Sequence, residues 1–298
     1  MLGRHDTPYK IATRGYDLFG DTIADNRAVM GGGTNTLTAP GSNGGRASVN
    51  LATGAAVVGG NSTGAAASFD GRQTDVLAYV SPNLGGFTGI AAYVAGAEGQ
   101  TLATQSKGNA WSVAGLYANS GFSGSLAYEV HNLGGAPGTL GAAALGGASL
   151  KESAVKLGAG YKADMFEINA VVERTKDNFG NLAALGLPVN TNVLGHSAYY
   201  LSGKVNVTPM DAIKLAYGKA NNLRLGGLGV NTGAAQATIG YDHSFTKRTT
   251  VYALYTQLSN KAGATYVLGN AGAGNGSVFL NGAGSKPSAF SLGVKHSF

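Results

Sequence analysis

The chain contains no cysteine. That excludes a disulfide framework, cysteine-ligated zinc, iron–sulfur clusters and thiol nucleophiles. Charge is scarce: Asp, Glu, Lys and Arg make up 12% of the 298 residues, about half the usual share. The balance is basic, with 21 Lys and Arg against 15 Asp and Glu and a net charge of +6. Proline is limited to 7 residues, and the 49 glycines have no period of three, which excludes collagen. No apolar run approaches the ~18 residues of a spanning helix; the longest runs only from Ile90 to Ala97. The opening residues Met1-Leu-Gly-Arg-His-Asp lack the apolar core of a secretory signal. Tyr (14) and Phe (10) are spread along the chain, which opposes simple disorder. Two classes remain: a Gly/Ala-rich soluble β protein, or a barrel whose outer face meets lipid.

What is present has a period of two. Phe290, Leu292, Val294 and Phe298 alternate with Ser291, Gly293, Lys295 and Ser297, as in a strand with one apolar and one wet face. Phe122, Leu126, Tyr128 and Val130 likewise oppose Ser123, Ser125, Glu129 and His131. Val155 and Leu157 oppose Lys156; Phe166, Ile168 and Val172 oppose Glu167, Asn169 and Glu173. Tyr199, Leu201 and Val205 oppose Ser202, Lys204 and Asn206, and Ile213, Leu215 and Tyr217 oppose Lys214. Ile239 and Tyr241 oppose Thr238 and Asp242, while Tyr252, Leu254 and Leu258 share a face. With strands around Tyr79, Tyr93 and Trp111 this makes about eleven strands of about ten residues, the length of a tilted membrane strand.

The connections sort by length. Short turns sit at 83–86, 119–121, 163–164, 209–211 and 247–249. Long Gly/Ala/Asn-rich loops lie between them, at 96–108, 133–150, 178–195, 221–233 and 260–286. Short turns at one end and long loops at the other are the layout of an up-and-down membrane barrel. Lipid offers no hydrogen-bond partners, so spanning strands must pair into a closed wall. The fold class predicted is all-β, a transmembrane antiparallel β-barrel in a single domain covering residues 1–298. Residues 5–71 break the alternation, being polar as far as Met30 and then rich in Gly, Thr, Ser and Asn. A segment this long is a functional loop or a disordered one, and it is expected to fold into the pore.

Three segments resemble the general porins of the neisserial and β-proteobacterial type. Leu2-Gly-Arg-His-Asp-Thr-Pro8 resembles the end of their fifth strand, leading into the constriction loop. Arg72-Gln-Thr-Asp-Val-Leu-Ala-Tyr-Val-Ser-Pro82 followed by Asn-Leu-Gly-Gly-Phe87 resembles their sixth strand, tight turn and seventh strand. Gly293-Val-Lys-His-Ser-Phe298 resembles their last strand. The resemblance implies a sixteen-stranded barrel, of which this chain carries about eleven strands plus a stub, the first four strands and most of the fifth lying outside it. It implies a homotrimer in the outer membrane of a Gram-negative bacterium, surrounded by outer-membrane lipid. It also makes Phe298 the signal read by the barrel assembly machinery.

The chemistry implied is electrostatic filtering, since a ring of charge in a narrow pore selects ions by sign. The constriction candidates are Asp17, Asp21 and Asp25 on the loop, the first two spaced to share one side of a helical turn, with Arg4 and Arg72 at its two ends. Parity places Lys156, Lys162, Lys204, Lys214 and Lys295 on the lumen wall against Glu129, Glu167, Glu173 and Asp242. The expected function is passive diffusion of small hydrophilic solutes and ions with weak anion selectivity. Alternatives are a substrate-selective channel, which needs lumenal aromatics, and a plugged adhesin-type barrel. No enzyme is expected, because no Ser/His/Asp arrangement falls on adjoining strand ends. No cofactor or metal is expected either, since His5, His131, His196, His243 and His296 are scattered without ligand spacing. Nucleic acid is not an expected partner, for want of a basic cluster interleaved with aromatics.

Overall fold

The computed structural model describes residues 1–31, 48–49, 56–57, 69–95, 109–132, 151–178, 191–192, 195–224, 231–264, 266–268 and 284–298. Twelve strands form one sheet: β1 (Leu2–Asp6), β2 (Arg72–Val80), β3 (Phe87–Val94), β4 (Asn109–Asn119), β5 (Phe122–Asn132) and β6 (Lys151–Lys162). They continue with β7 (Phe166–Asp177), β8 (Ser197–Asn206), β9 (Asp211–Ala220), β10 (Ala234–Ser244), β11 (Thr249–Asn260) and β12 (Ser288–His296). Each pairs antiparallel with its neighbour in chain order, and β1 and β12 are the two edges. The stub before the long loop therefore pairs with β2, Leu2 with Leu77 and Asp6 with Arg72, the register shifting between Gly3 and His5.

The alternation of the sequence becomes the two faces of this wall. On β7, Phe166, Ile168, Val172 and Arg174 are exposed while Asn169, Val171, Glu173 and Thr175 are buried. On β6, Lys151, Val155 and Leu157 are exposed while Glu152, Ala154 and Lys156 are buried. The usual relation is inverted, with apolar side chains outward and polar ones inward, as lipid on one side and water on the other require. The buried face, termed inner below, is covered by residues 7–31 and 69–71 of the long segment.

The short turns hold the strands at one end. Between β4 and β5 the chain reverses in two residues, Ser120 (φ 49°) and Gly121 (φ 85°), the left-handed pair that suits a tight hairpin. At Gly121 a Cβ would lie 2.5 Å from the Lys162 carbonyl, so the neighbouring strand also demands glycine there. The long loops fall mostly outside the described residues.

Strand β11 differs from the apolar-outward pattern. Leu254 and Leu258 are 3% and 0% exposed on the inner face, whereas Tyr255 points outward. The cause is the inserted segment, whose Phe19 and Ala24 pack on Leu254. Where an insert covers the inner face, apolar residues are stable there, and hydropathy parity no longer marks the lipid side.

Candidate functional site

The inserted segment begins with α1 (Pro8–Arg14), whose N-terminus is fixed by Thr7 accepting from Lys10 N and by Pro8 in the first turn. A short helix of this kind has little stability of its own. Its seat comes from the wall: Tyr9 and Ala12 pack with Phe69, Ala114, Ala127 and Ala154. Tyr9 N donates to Ser112 Oγ at 3.0 Å on β4.

A cross-strand pair fastens the segment. Lys156 on β6 stands opposite Glu173 on β7, and Lys156 Nζ lies 3.4 Å from Glu173 Oε2. Three separate points of the segment converge on this pair. Tyr9 Oη donates to Glu173 Oε2 at 2.9 Å, and Gly31 N donates to the same carboxylate at 2.9 and 3.0 Å. Asp70 Oδ1 accepts from Lys156 Nζ at 2.8 Å. Side chains of all three charged groups are 5% exposed or less, so water weakens these contacts little. Beside them His131 bridges Glu129 (2.7 Å) and Glu152 (2.8 Å) and stacks on Phe69 at 4.5 Å between centroids.

Farther along, the segment crosses to the strands near the C-terminus. Tyr200 Oη on β8 donates to Asp17 Oδ1 at 2.6 Å, and Ser202 Oγ donates to Tyr16 O at 2.9 Å. Lys214 on β9 donates to Leu18 O at 3.4 Å, pairs with Asp242 at 2.8 Å and lies 5.0 Å from the Phe19 ring centroid.

The predicted constriction carboxylates do not share one side of a helix. Residues 16–24 form successive turns, and Asp21 takes φ 59°. Asp17 and Asp25 have side chains at 0% exposure, while Asp21 stands at 81%. Arg14 and Arg27 gather them: Arg27 Nη2 lies 2.8 Å from Asp25 and 3.0 Å from Asp21, and Arg14 Nη2 lies 3.0 Å from Asp21. Burial, then repulsion from Asp25, pushes the Asp17 carboxyl up to about 6, against hydrogen bonds from Asn26 N, Tyr200 Oη and Phe19 N. Burial also opposes ionisation of Asp25. Hydrogen bonds and charge from Arg27, then the charge of Arg14, outweigh it and hold that carboxyl below the usual carboxylate range.

Arg4 and Arg72 sit together where the segment leaves β1 and rejoins β2. Arg72 Nη2 donates to Arg4 O at 3.2 Å, and its Nε lies 3.6 Å from Asp6. Among the described residues neither pairs with the loop aspartates. Of the five wall lysines, Lys156 is buried under the segment and Lys214 is paired with Asp242. Lys162, Lys204 and Lys295 form no ion pair among the described residues. Lys204 is in register with Lys214. Sequence parity put Glu129, Glu173 and Lys156 on the inner face. That Glu173 and Lys156 grip an insert depends on Tyr9, Gly31 and Asp70, which lie 142 or more residues from Glu173 in two cases and 86 from Lys156 in the third; no local pattern marks them.

An antiparallel wall, polar inside and apolar outside, with an insert on its inner face, is what a family comparison has to explain. The model of the Gram-negative porin family matches residues 1–263. The chain belongs to that family. As a porin it resides in the outer membrane of a Gram-negative bacterium. It is 27% identical over 231 residues to outer membrane porin protein 32 of Delftia acidovorans, covering 76% of this chain and 57% of the relative. The chain thus spans little more than half of that relative's length. Among solved structures, the anion-selective porin from Comamonas acidovorans superposes with a TM-score of 0.67 at 22% identity, over 100% of this chain and 73% of the other. OmpT of Vibrio cholerae superposes with a TM-score of 0.51 at 13% identity, over 76% of this chain and 65% of the other. These likenesses establish the transmembrane β-barrel as the fold of this porin.

Proposed function

We propose that the protein forms a water-filled outer-membrane channel through which small hydrophilic solutes and ions diffuse passively, with weak preference for anions. One observation carries this reading: a segment of the chain is seated across the polar face of a barrel wall and held there by buried charges. Such an insert narrows the path without contributing bond-making chemistry, and a narrow low-dielectric path filters by charge.

The sign follows from what the structure leaves uncompensated. Lys156 is spent on Asp70 and Glu173, and Arg14 and Arg27 on the loop aspartates. Lys162, Lys204 and Lys295 remain, against Glu167, while the exposed Asp21 is already paired with Arg14 and Arg27. Asp21, Arg14 and Arg27 are the proposed filter on the loop, with Arg4 and Arg72 at its entrance. Asp17 and Asp25 shape the loop from within. Assembly as a homotrimer, and recognition of Phe298 by the barrel assembly machinery, belong to the same proposal; Phe298 is fully exposed beyond edge strand β12.

The test is the current through a planar bilayer under a KCl gradient. Discrete steps with a small anion-directed zero-current potential, larger at low salt because screening lengthens, are expected. Strong cation selectivity, or no steps at all, would overturn the proposal. Saturation by one solute would favour a substrate-selective channel instead.

A further inference from the structure

The chain that leaves β11 does not run straight out of the wall. Its first residues are tied down by bonds of their own. Lys261 N donates to Gly233 O at 3.0 Å and Gly263 N donates to Asn231 O at 2.8 Å, which keeps this stretch beside the connection before β10. Ala264 N then donates to Lys261 O at 2.8 Å and turns the chain back. Asn260, the last residue of β11, grips Tyr266 from both sides. Its Oδ1 accepts from Tyr266 N at 2.8 Å, and its Nδ2 donates to Tyr266 O at 2.9 Å. A side-chain amide carries one acceptor and two donors, so it can satisfy a peptide group as a neighbouring strand would.

Register shows what this clamp delivers. Ala198, Ala220, Ala234 and Asn260 stand in one row across the inner face of β8–β11. The next row toward the short turns is Tyr200, Gly218, Gln236 and Leu258. Alanines on strands about 4.8 Å apart are too short to cover one another, yet these three are 0%, 1% and 4% exposed. Their cover comes from two directions. Tyr266 and Leu268 join the alanines, Tyr200 and Leu258 in one buried apolar cluster, and so do Val29 and Met30 of the inserted segment. Gly218 lets that segment come close, since a Cβ there would lie 2.7 Å from Val29 Cγ2. The short-turn half of the same strands differs in kind. It lines a cavity of about 670 Å³ with Lys204, Asn206, Asp242 and Ser244. The inner face of β8–β11 is thus dry at the long-loop end and polar at the other.

We propose that residues 260–268 are a second inserted segment that braces the end of the first, with Tyr266 as the positioning residue, and that this brace keeps the pore narrow. The end of the first segment is then held twice. Glu173 holds it by charge through Gly31 N, and Tyr266 and Leu268 hold it by burial of Val29 and Met30. The narrowing rests on the reading that the first segment constricts a conducting path.

The experiment uses the full chain folded in detergent micelles, with limited trypsin cleavage read by mass spectrometry and single-channel conductance on the same preparations. Y266A and N260A should each raise the rate of cleavage at Arg27 at least about tenfold, because a large buried side chain, or the clamp that seats it, is lost. Cleavage at Arg14 should rise less than about twofold, since α1 is seated separately on Phe69 and Ala114 and distant sites act independently. Y266F keeps the ring and should lie nearer the parent than Y266A. The conductance steps of Y266A should be larger, while its zero-current potential in a KCl gradient stays as in the parent, because Lys204 and Lys295 are untouched. Parent-like protection of Arg27 in both Y266A and N260A, with a heat-modifiable barrel confirming the fold, overturns the proposal. Equal acceleration at Arg14 and Arg27 overturns it too, because the whole segment would then have loosened. Unchanged steps despite release of Arg27 overturn the narrowing. Cleavage needs no current, so selective release of Arg27 in a protein that shows no steps at all would sustain the brace and refute the channel.

Discussion

Replacing Glu173 by alanine should unseat the inserted segment while leaving the wall in place. The substitution removes the acceptor for Tyr9 Oη and Gly31 N and leaves Lys156, whose side chain is 1% exposed, with Asp70 alone. Breaking a buried ion pair from one side costs about 3–5 kcal/mol. Hydrogen bonds to a charged group contribute roughly 1.5–3 kcal/mol each, but they overlap with the pair and do not add to it. The wall keeps its backbone ladders with β6 and β8, so the loss falls on seating. At 1.4 kcal/mol per tenfold, seating should weaken by about two to three and a half orders of magnitude. The assay is single-channel conductance, paired with trypsin cleavage at Arg14 and Arg27. Larger, noisier steps and new cleavage are expected. E173Q keeps the shape and one acceptor and should lie between parent and E173A. If E173A shows unchanged conductance and full protection, the clasp does not hold the insert and the reasoning fails.

Other expectations follow from single contacts. K204E or K295E should shift the zero-current potential towards cations, by more than R72E does, because Arg72 already lies beside Asp6; equal shifts would place Arg72 in the filter. The Asp17 carboxyl, raised to about 6 from an ordinary 3.8, takes up a proton when the segment seats between those values. That contribution is therefore fully present below pH ~4 and lost as pH rises through 6, while Asp25, depressed, contributes above its ordinary value and loses this in acid. D17N should flatten the melting midpoint's dependence on pH between 4 and 6, and an unchanged slope would assign it elsewhere. G121V should destabilise the barrel by about 1–3 kcal/mol, read as a lower melting temperature, because φ 85° and the Lys162 carbonyl both exclude a side chain.

The wall was legible because its physics is local. One face meets lipid and the other water, so each strand announces itself by a period of two, and Phe166–Val172 or Val155–Leu157 needed no partner to be read. Turn chemistry such as Asn119-Ser-Gly121 is equally local. The insert was visible only as a break in that pattern. Its seat depends on residues that meet across the molecule, such as Tyr200 with Asp17, so spacing along the chain carried no trace of it. The four-residue spacing of Asp17 and Asp21 suggested a helix. Charge won instead: Arg14 and Arg27 draw the chain into turns around Asp25, and Asp21 adopts a left-handed conformation to present its carboxylate to them. Leu254 and Leu258 misled for the related reason that the insert supplies apolar neighbours on the wet side, Phe19 and Ala24 in the first cluster and Tyr16, Val29 and Met30 in the second.

The sequence separation of these contacts bears on the order of assembly. From β2 to β12, strands pair with the next strand in the chain, so the wall can grow by adding hairpins, each closing a short stretch. The insert touches β4 at Ser112, β7 at Glu173, β8 at Tyr200 and β9 at Lys214, with separations rising from 103 to 196 residues. No one of these contacts repays the closure of so long a chain while the strands between are unformed. Seating must therefore come late, after β11, whose Leu254 packs against Phe19 and Ala24, is in place, and then as one event. In a refolding experiment, β-structure should appear before Arg14 and Arg27 become protected from trypsin, and the lag between the two is the time the wall takes to become whole.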